Sequence, residues 1–454
     1  MKANNAGARS AFFLRALGLA AILFLLLLNH SQSRGALVAA QPSPAFTVAP
    51  STPAGAIPPT FFSLTIAFGN LTQWPTAPFG LLGEIPGKGW NTIAHARGLY
   101  KWEALDRDLD MAQSHGITTV SYNLHLTPAW ASSNPDRPCT GESNVFGCAD
   151  PPVNISDWDD FVSALVTRYK GRIQYYEVWD EPNRPLTWRG TVPDMVRLAQ
   201  HAYGIIKEID PSAKVLTPGV TVIGVQPSYP GCNLDCWLDR YLAAGGSQYA
   251  DGVTWHGFYC RNSLRGCGNG IGCDVAINCA GTPLLNQIKL VRSMMAKYGM
   301  ADKPLLDTSG GWGKNENLPD PDQRAAYVAR WHILQAAEGV TAADWWGWNT
   351  KAWGTLWTET GETPAAEAYG QTYQWLVGAT IAKPCSLADS IWSCELTRSG
   401  GYRGLIVWAD SAAPITYSVP ASFHRYRDLT GKAVQVSGAV TINYKPILLE
   451  SGRE

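Results

Sequence analysis

The stretch that decides the fold is residues 173–183, which read IQYYEVWDEPN. The apolar run from Ile173 to Trp179 predicts a buried strand. An acidic pair, Asp180 and Glu181, follows this run directly and precedes Pro182. The pair therefore lies where the predicted strand ends and a loop begins.

Seven other apolar runs flank this one and alternate with amphipathic stretches of helical period. The predicted strands are Ser63–Phe68, Phe79–Glu84, Ile117–Leu124, Ile173–Trp179, Lys214–Pro218, Gly252–His256, Lys303–Ser309 and Ala342–Trp348. The predicted helices are Glu103–His115, Ser156–Tyr169, Val192–Ile209, Leu284–Tyr298, Pro321–Glu338 and Pro364–Leu376. Eight strands interleaved with helices predict an α/β fold, a parallel (β/α)8 TIM barrel over residues 61–378. In residues 379–454 short strands between Gly, Pro and Ser predict a small C-terminal antiparallel β-sandwich.

The N-terminus has the pattern of a targeting segment. Lys2, Arg9 and Arg15 precede an uncharged run from Ala16 to Leu28. This pattern predicts a signal peptide within residues 1–40 and a secreted or extracytoplasmic protein. The alternative is an uncleaved N-terminal anchor, the one case in which we expect a membrane association. Residues 41–60 are rich in Pro, Ala, Ser and Thr and predict a linker.

The chain contains ten Cys, an even number that suits disulfides in an exported protein. The pairs Cys139/Cys148 and Cys385/Cys394 are each isolated and predicted to bond locally. Six more Cys form a cluster, for which 15 connectivities are open. These are Cys232, Cys236, Cys260, Cys267, Cys273 and Cys279. Their spacing lacks the CxxC repeat of zinc sites, so we expect no metal.

Composition excludes several classes of function. Lys plus Arg total 36 and Asp plus Glu 37, and no basic cluster predicts a nucleic-acid partner. The chain has no GxSxG, Walker, HExxH or GxGxxG motif in a supporting context, so we expect no cofactor. By contrast, 19 Trp and 18 Tyr supply flat apolar faces that suit sugar rings.

In a barrel of this type the chemistry lies where strands end. Glu181, flanked by Trp179 and Pro182, is predicted to be desolvated, with a raised pKa that suits a general acid. Ser309 is predicted at the tip of the seventh strand, where its hydroxyl is a poor substitute for a carboxylate. We expect Asp307, one layer deeper, to be structural.

Other polar and aromatic residues at strand ends are predicted to bind substrate. His256 and Tyr259 follow the sixth strand and are predicted to hold a carboxylate or a sugar hydroxyl. The remaining candidates are Asp180, Trp130, Trp179, Trp312, Trp348 and Asn349.

These strand-end motifs resemble those of clan A glycoside hydrolases, especially family 39-like and cellulase-like members. The resemblance covers Phe61 to Leu449 and is most specific at Tyr176–Asn183. It implies retaining hydrolysis of β-linked glycosides with Glu181 as the acid/base.

Three positions depart from the family pattern. Asp180 replaces the usual Asn, and Ser309 occupies the place of the nucleophilic Glu. Gly83 or Glu84 stands where an Arg is common.

Three hypotheses remain open. The first is a secreted glycosidase acting on a β-linked oligo- or polysaccharide, in which Asp180 or Glu316 activates water in the room that Ser309 leaves. We expect Glu316 to face solvent unless it swings in. The second is a catalytically impaired, glycan-binding pseudoenzyme at the cell surface. The third is a transglycosylase-like role with a preformed activated donor.

Overall fold

The computed structural model describes residues 55–139, 145–221, 234–258, 281–411 and 413–452. The predicted signal peptide or anchor, most of the linker and Tyr259 lie outside these ranges, as do the clustered Cys other than Cys236. Cys236 is disulfide-bonded. Both isolated pairs form the expected disulfides, Cys139–Cys148 and Cys385–Cys394.

Parallel strands with helices outside them form the first part of the fold, as predicted. The strands are β1 (Phe62–Thr65), β2 (Leu81–Leu82), β3 (Thr119–Leu124), β4 (Tyr175–Val178), β5 in two pieces (Lys214–Leu216 and Val220–Thr221), β6 (Val253–His256), β7 (Leu305–Gly310) and β8 (Ala342–Trp346). The first piece of β5 pairs with β4 and the second pairs with β6. The two ends of the sheet therefore meet in β5, and this closes the barrel.

Seven long helices cover the barrel in the described part of the chain. They are α1 (Glu103–Ser114), α2 (Ile155–Tyr169), α3 (Val192–Ile209), α4 (Leu234–Ala243), α5 (Thr282–Lys297), α6 (Pro321–Ala337) and α7 (Pro364–Leu376). The start of α3 carries a capping box between Thr191 and Asp194, which satisfies two backbone N–H groups. Helix α4 was not predicted. No helix of the described chain is long and apolar enough to span a membrane.

The C-terminal part contains two antiparallel sheets. Its strands are β9 (Thr380–Ala388), β10 (Ile391–Thr397), β11 (Arg403–Ala409), β12 (Ile415–Ser418), β13 (Arg425–Arg427), β14 (Ala433–Gln435), β15 (Ala439–Ile442) and β16 (Ile447–Glu450). The larger sheet has the order β9-β10-β11-β16-β13-β14, and β12 pairs with β15. This arrangement fits the predicted sandwich. The β9–β10 hairpin and β13 were not predicted.

Strand β11 explains how the sandwich joins the barrel. Leu405 and Val407 belong to the core between the two sheets, whereas Ile406 and Trp408 belong to the main core that includes the barrel. Successive side chains of a strand point to opposite faces, so β11 is buried on both sides. One face of the large sheet thus packs against the barrel.

Candidate active site

The end of β4 is held in a strained turn. Trp179 and Glu181 both have positive φ angles, 79° and 43°. The Glu181 N–H donates to the Gly219 carbonyl over 2.9 Å, and the Gly219 N–H donates to the Trp179 carbonyl over 3.1 Å. Positive φ is uncommon outside glycine and persists where the surroundings enforce it, typically at functional sites. The gap between the two pieces of β5 therefore fixes where Glu181 lies.

Two cations contact the Glu181 carboxyl, which is only 6% exposed. His256 Nδ1 donates to Glu181 Oε1 over 3.2 Å, and the Arg184 guanidinium pairs with Oε2. Burial raises the pKa of Glu181, but the hydrogen bond from His256 and the charges of His256 and Arg184 outweigh burial and lower the pKa to about 2. The raised pKa expected from desolvation alone is therefore wrong, because Arg184 and His256 stabilise the ionised form.

The pKa values of the neighbouring carboxyls, Asp180 and Glu84, are raised, whereas that of Glu181 is lowered. Burial, followed by the charge of Glu181, raises the pKa of Asp180 to about 7. Burial, followed by the charge of Asp180, raises the pKa of Glu84 well above its usual range. Ionised and protonated carboxyls thus lie together at one barrel mouth, an arrangement typical of acid–base sites.

Beneath the mouth, the buried His256 bridges carboxylates. Its Nε2 lies 3.6 Å from Glu177 Oε1, which also accepts a 3.0 Å hydrogen bond from Asn123 Nδ2. Burial lowers the pKa of His256, but hydrogen bonds to Glu177 and Glu181 raise it well above its usual value. Glu177, Asp180 and His256 each bring one ligand atom within 4.8 Å of the others, so they are the group in the described chain that could hold a metal ion. The cationic imidazole already balances these carboxylates.

Two more carboxyls lie inside the barrel, below the mouth. Asp307 Oδ1 accepts a hydrogen bond from the Gly257 N–H over 2.9 Å. Asp344 accepts hydrogen bonds from Ser63 Oγ and Thr65 Oγ1, over 2.5 and 2.7 Å.

Glycine at position 83 makes room for Asp344. A Cβ atom on Gly83 would stand 1.8 Å from Asp344 Oδ1, so only glycine fits there. The carboxyl that β2 contributes to the mouth is therefore that of Glu84.

The described residues line a cavity of about 210 Å³ at this mouth. Its lining consists of Glu84, Asp180, Glu181, Arg184, His256, Phe258, Ser309, Trp346 and Trp353. The predicted residues Asp180, Glu181, His256 and Ser309 are thus brought together. Drug-sized ligands occupy roughly 300–1,000 Å³, so this cavity suits a single ring.

Several predicted contacts lie away from the cavity. Trp179, Trp312 and Trp348 are fully buried, and Trp179 Nε1 donates to the Thr187 carbonyl over 2.8 Å. Trp130 is partly buried and donates from Nε1 to the Ala94 carbonyl over 2.8 Å. Asn349 exchanges hydrogen bonds with the backbone of Ala67.

Glu316 also lies outside the lining. Its side chain is 75% exposed and it forms a 3.5 Å ion pair with Lys314.

Five lining residues were not among the predicted site residues. Arg184 lies on the loop after β4, and Phe258 follows β6. Trp346 ends β8, and Trp353 lies in the loop that follows it. Glu84, like Glu181, lies at the end of a predicted strand. The expectation that site residues lie at strand ends would have identified it in the second predicted strand.

A larger cavity of about 760 Å³ lies between α7 and the sandwich. Its acidic residue, Glu450, accepts hydrogen bonds from Tyr402, Arg425 and Arg427. This carboxylate is fully engaged in the packing of the sandwich. Among the described residues, this cavity therefore offers no unpaired carboxyl of the kind that Glu84 supplies at the barrel mouth.

No protein-family model matches the sequence. The search of curated proteins likewise finds no match. Solved structures match the fold over most of the chain. A family 39 glycoside hydrolase from the gut symbiont Bacteroides cellulosilyticus WH2 superimposes with a TM-score of 0.64 at 16% identity, covering 87% of this chain and 81% of that one.

Two further structures come from other glycoside hydrolase families. A GH30 endoxylanase from Clostridium papyrosolvens C71 gives a TM-score of 0.58 at 13% identity, covering 88% of this chain and 98% of that one. A family 44 endoglucanase from Clostridium acetobutylium ATCC 824 gives a TM-score of 0.57 at 12% identity, covering 87% of this chain and 96% of that one. These neighbours are clan A glycoside hydrolases. At such identities the likeness shows the fold alone.

Proposed function

We propose that this protein is a glycoside hydrolase that cleaves O-glycosidic bonds of a β-linked oligo- or polysaccharide outside the cytoplasm. The observation that carries the proposal is the cluster of Glu181, Asp180 and Glu84 around a cavity with aromatic walls, Trp346 and Trp353. Glycoside hydrolysis needs two carboxyl groups in different protonation states on either side of the scissile bond. Aromatic faces supply the stacking surface for a sugar ring.

Glu181 is the proposed acid/base residue of this reaction. An acid/base residue acts as an acid in one step and as a base in another. The surroundings of Glu181 favour the base, because Arg184 and His256 stabilise the carboxylate. Ser309 lines the same cavity, and we propose that it occupies the position of the nucleophilic Glu of family 39-like glycoside hydrolases. A hydroxyl without a base to activate it forms no covalent intermediate, and both nitrogens of His256 already face carboxylates.

Two features are compatible with export. The disulfides Cys139–Cys148 and Cys385–Cys394 suit an oxidising compartment. The predicted N-terminal signal peptide would direct the chain out of the cytoplasm.

The ion pair of Arg184 with Glu181 also favours a second candidate, a glycan-binding protein without catalysis. In that case Glu181 would stay paired with Arg184 and accept hydrogen bonds from sugar hydroxyls without taking up a proton.

One assay separates the two candidates. The mature protein is incubated with a panel of aryl β-glycosides and β-linked polysaccharides, and released phenol or reducing ends are measured for wild type, Glu181→Gln and Glu316→Gln. We expect hydrolysis that falls by roughly 10²–10⁴-fold in Glu181→Gln and is unchanged in Glu316→Gln, whose residue is exposed. Sugar binding with equal background rates in all three proteins would favour the binding protein instead.

A further inference from the structure

We infer that Glu84 is the second catalytic carboxyl of this site, the group that protonates the departing glycosidic oxygen while Glu181 deprotonates the attacking water. The inference rests on the proposed glycosidase function and deepens it. It assigns the residue that stands in for the missing strand-seven carboxylate, and it predicts that the anomeric configuration is inverted.

The position of Glu84 supports this role. Glu84 follows β2 and lines the same cavity as Glu181. Among the described residues, no hydrogen bond or ion pair is formed by its carboxyl, although Asp180, Glu181 and Glu177 all have partners. A partly exposed carboxyl without a protein partner is free to contact a ligand.

Asp180 is less suited to be the partner of Glu181. The two residues leave the same strand end, and their carboxyl oxygens lie 3.8 and 3.2 Å from the same atom, His256 Nδ1. Both carboxyls are therefore on one side of the mouth. An acid and a base that act on one glycosidic bond must flank the sugar.

The barrel places Glu84 on another side. Strand β3 lies between β2 and β4 in the sheet. Neighbouring strands are about 4.8 Å apart, so the ends of β2 and β4 are separated by roughly 10 Å. Side chains that converge from this distance match the separation of roughly 6.5–9.5 Å found between the carboxyls of inverting enzymes.

The protonation states agree with this division of roles. Burial and the charge of Asp180 raise the pKa of Glu84, so its carboxyl keeps a proton that it can donate. His256 and Arg184 outweigh burial at Glu181 and keep it ionised, ready to accept one.

The reaction is then a single displacement. The Glu181 carboxylate takes a proton from a water molecule, whose oxygen forms a bond to the anomeric carbon. The bond between that carbon and the glycosidic oxygen breaks, its electron pair stays on the oxygen, and the oxygen takes the proton of Glu84. The products are an inverted hemiacetal and a free alcohol, and proton exchange with solvent resets both carboxyls.

The test uses two aryl β-glycosides of the sugar that the wild type hydrolyses best, one with a 2,4-dinitrophenyl leaving group and one with a 4-methylphenyl group. A dinitrophenolate leaves without protonation, so Glu84→Gln should lose at least about 100-fold on the 4-methylphenyl substrate and only a few-fold on the other. Glu181→Gln should slow both substrates. Glu84→Asp, which keeps an acid, should recover part of the loss, and Glu316→Gln is the control.

The anomer formed first is read by proton NMR during wild-type hydrolysis and should be inverted. Equal losses on both substrates in Glu84→Gln, or a retained anomer, would overturn the role of Glu84 and leave the glycosidase proposal intact. A wild type with no hydrolysis that depends on Glu181 would overturn both proposals.

Discussion

His256 donates from Nδ1 to Glu181 Oε1 over 3.2 Å, and its other ring nitrogen lies 3.6 Å from Glu177 Oε1. One buried imidazole thus joins a carboxylate of the cavity to a carboxylate of the barrel interior. The arrangement orients Glu181 and keeps it ionised. His256 lies on β6 and contacts Glu181 at the end of β4. The protonation state of Glu181 therefore depends on how these strands pack in the barrel.

We expect Arg184 to set the acid limit of the proposed hydrolysis. Since Arg184 lowers the pKa of Glu181, Arg184→Gln should raise that pKa, by about 1–3 units. A base works only when ionised, so activity is lost as pH falls through its pKa, and the acidic limb of kcat/KM should move to higher pH in the variant. Profiles that extend down to about pH 2, where Glu181 titrates in the wild type, measure the shift. Arg172→Gln, which breaks a surface pair with Asp110, is the control and should leave the limb in place; an unmoved limb in Arg184→Gln would show that Glu181 does not govern it.

Ser309→Glu places a carboxylate at the end of β7. The new side chain enters the cavity that Ser309 lines and can attack the anomeric carbon, so hydrolysis with retained configuration should appear. We expect the rate to rise by on the order of 10-fold or more, a scale set by covalent catalysis. Ser309→Gln has the same size without the charge and should lower the rate. If neither the rate nor the anomer changes in Ser309→Glu, the remaining groups are not aligned with β7.

The free energy of unfolding should decrease as the pH rises from about 4.5 to 7.5. Burial raises the pKa values of Asp180 and Asp344 to about 7. Such carboxyls bind more protons in the folded than in the unfolded state, so stability decreases as pH rises from their unfolded pKa through 7. Glu181, whose pKa is lowered, acts in the opposite sense only below its ordinary pKa of 4.5.

Asp344→Asn tests this pH dependence. Its neutral amide removes a cost on the order of 4 kcal/mol that Asp344 develops toward neutral pH, so the variant's Tm should depend less on pH. Differential scanning calorimetry from pH 4.5 to 8 measures the slope, with the exposed Asp136→Asn as the control. A wild-type Tm that rises steadily over this range would contradict the assignment.

The sandwich should be part of the barrel's folding unit. Trp408 stacks on Trp392 with ring centroids 5.6 Å apart and belongs to the main core. Trp408→Ala should therefore cost about 3–5 kcal/mol and shift one common transition in urea, followed by tryptophan fluorescence and circular dichroism. Leu387→Ala, on an exposed side chain, should change little. Two separate transitions, of which the mutation moves one, would show an independent sandwich.

The barrel was predictable because its strands are apolar and its helices periodic. The two helices Val192–Ile209 and Pro364–Leu376 begin and end as predicted, since Thr191 and Thr363 cap them through side chains that the sequence displays. The β9–β10 hairpin was missed because its partly exposed strands lack a long apolar run, and the Cys385–Cys394 disulfide crosses it.

The site was predicted less completely. Glu181 was found from its place after a strand, but its protonation state depends on Arg184, three residues away in a loop that carries no pattern. Trp179 was expected to face the ligand, yet the positive φ of that residue accompanies a buried ring packed against Trp188. Glu84 ends the predicted strand Phe79–Glu84, but the sequence alone does not show that its side chain shares a cavity with Glu181.

The most direct measurement for the central claim is chemical rescue of Glu181→Gly. Glu181 has a φ of 43°, a conformation that glycine adopts readily, so this variant should fold. Glu181→Gly should be inactive on an aryl β-glycoside that the wild type cleaves, and added formate should raise its rate by roughly 10-fold or more by supplying the lost carboxylate. Folded Glu181→Gly that formate does not reactivate, or that retains the wild-type rate without it, would contradict the catalytic role of Glu181.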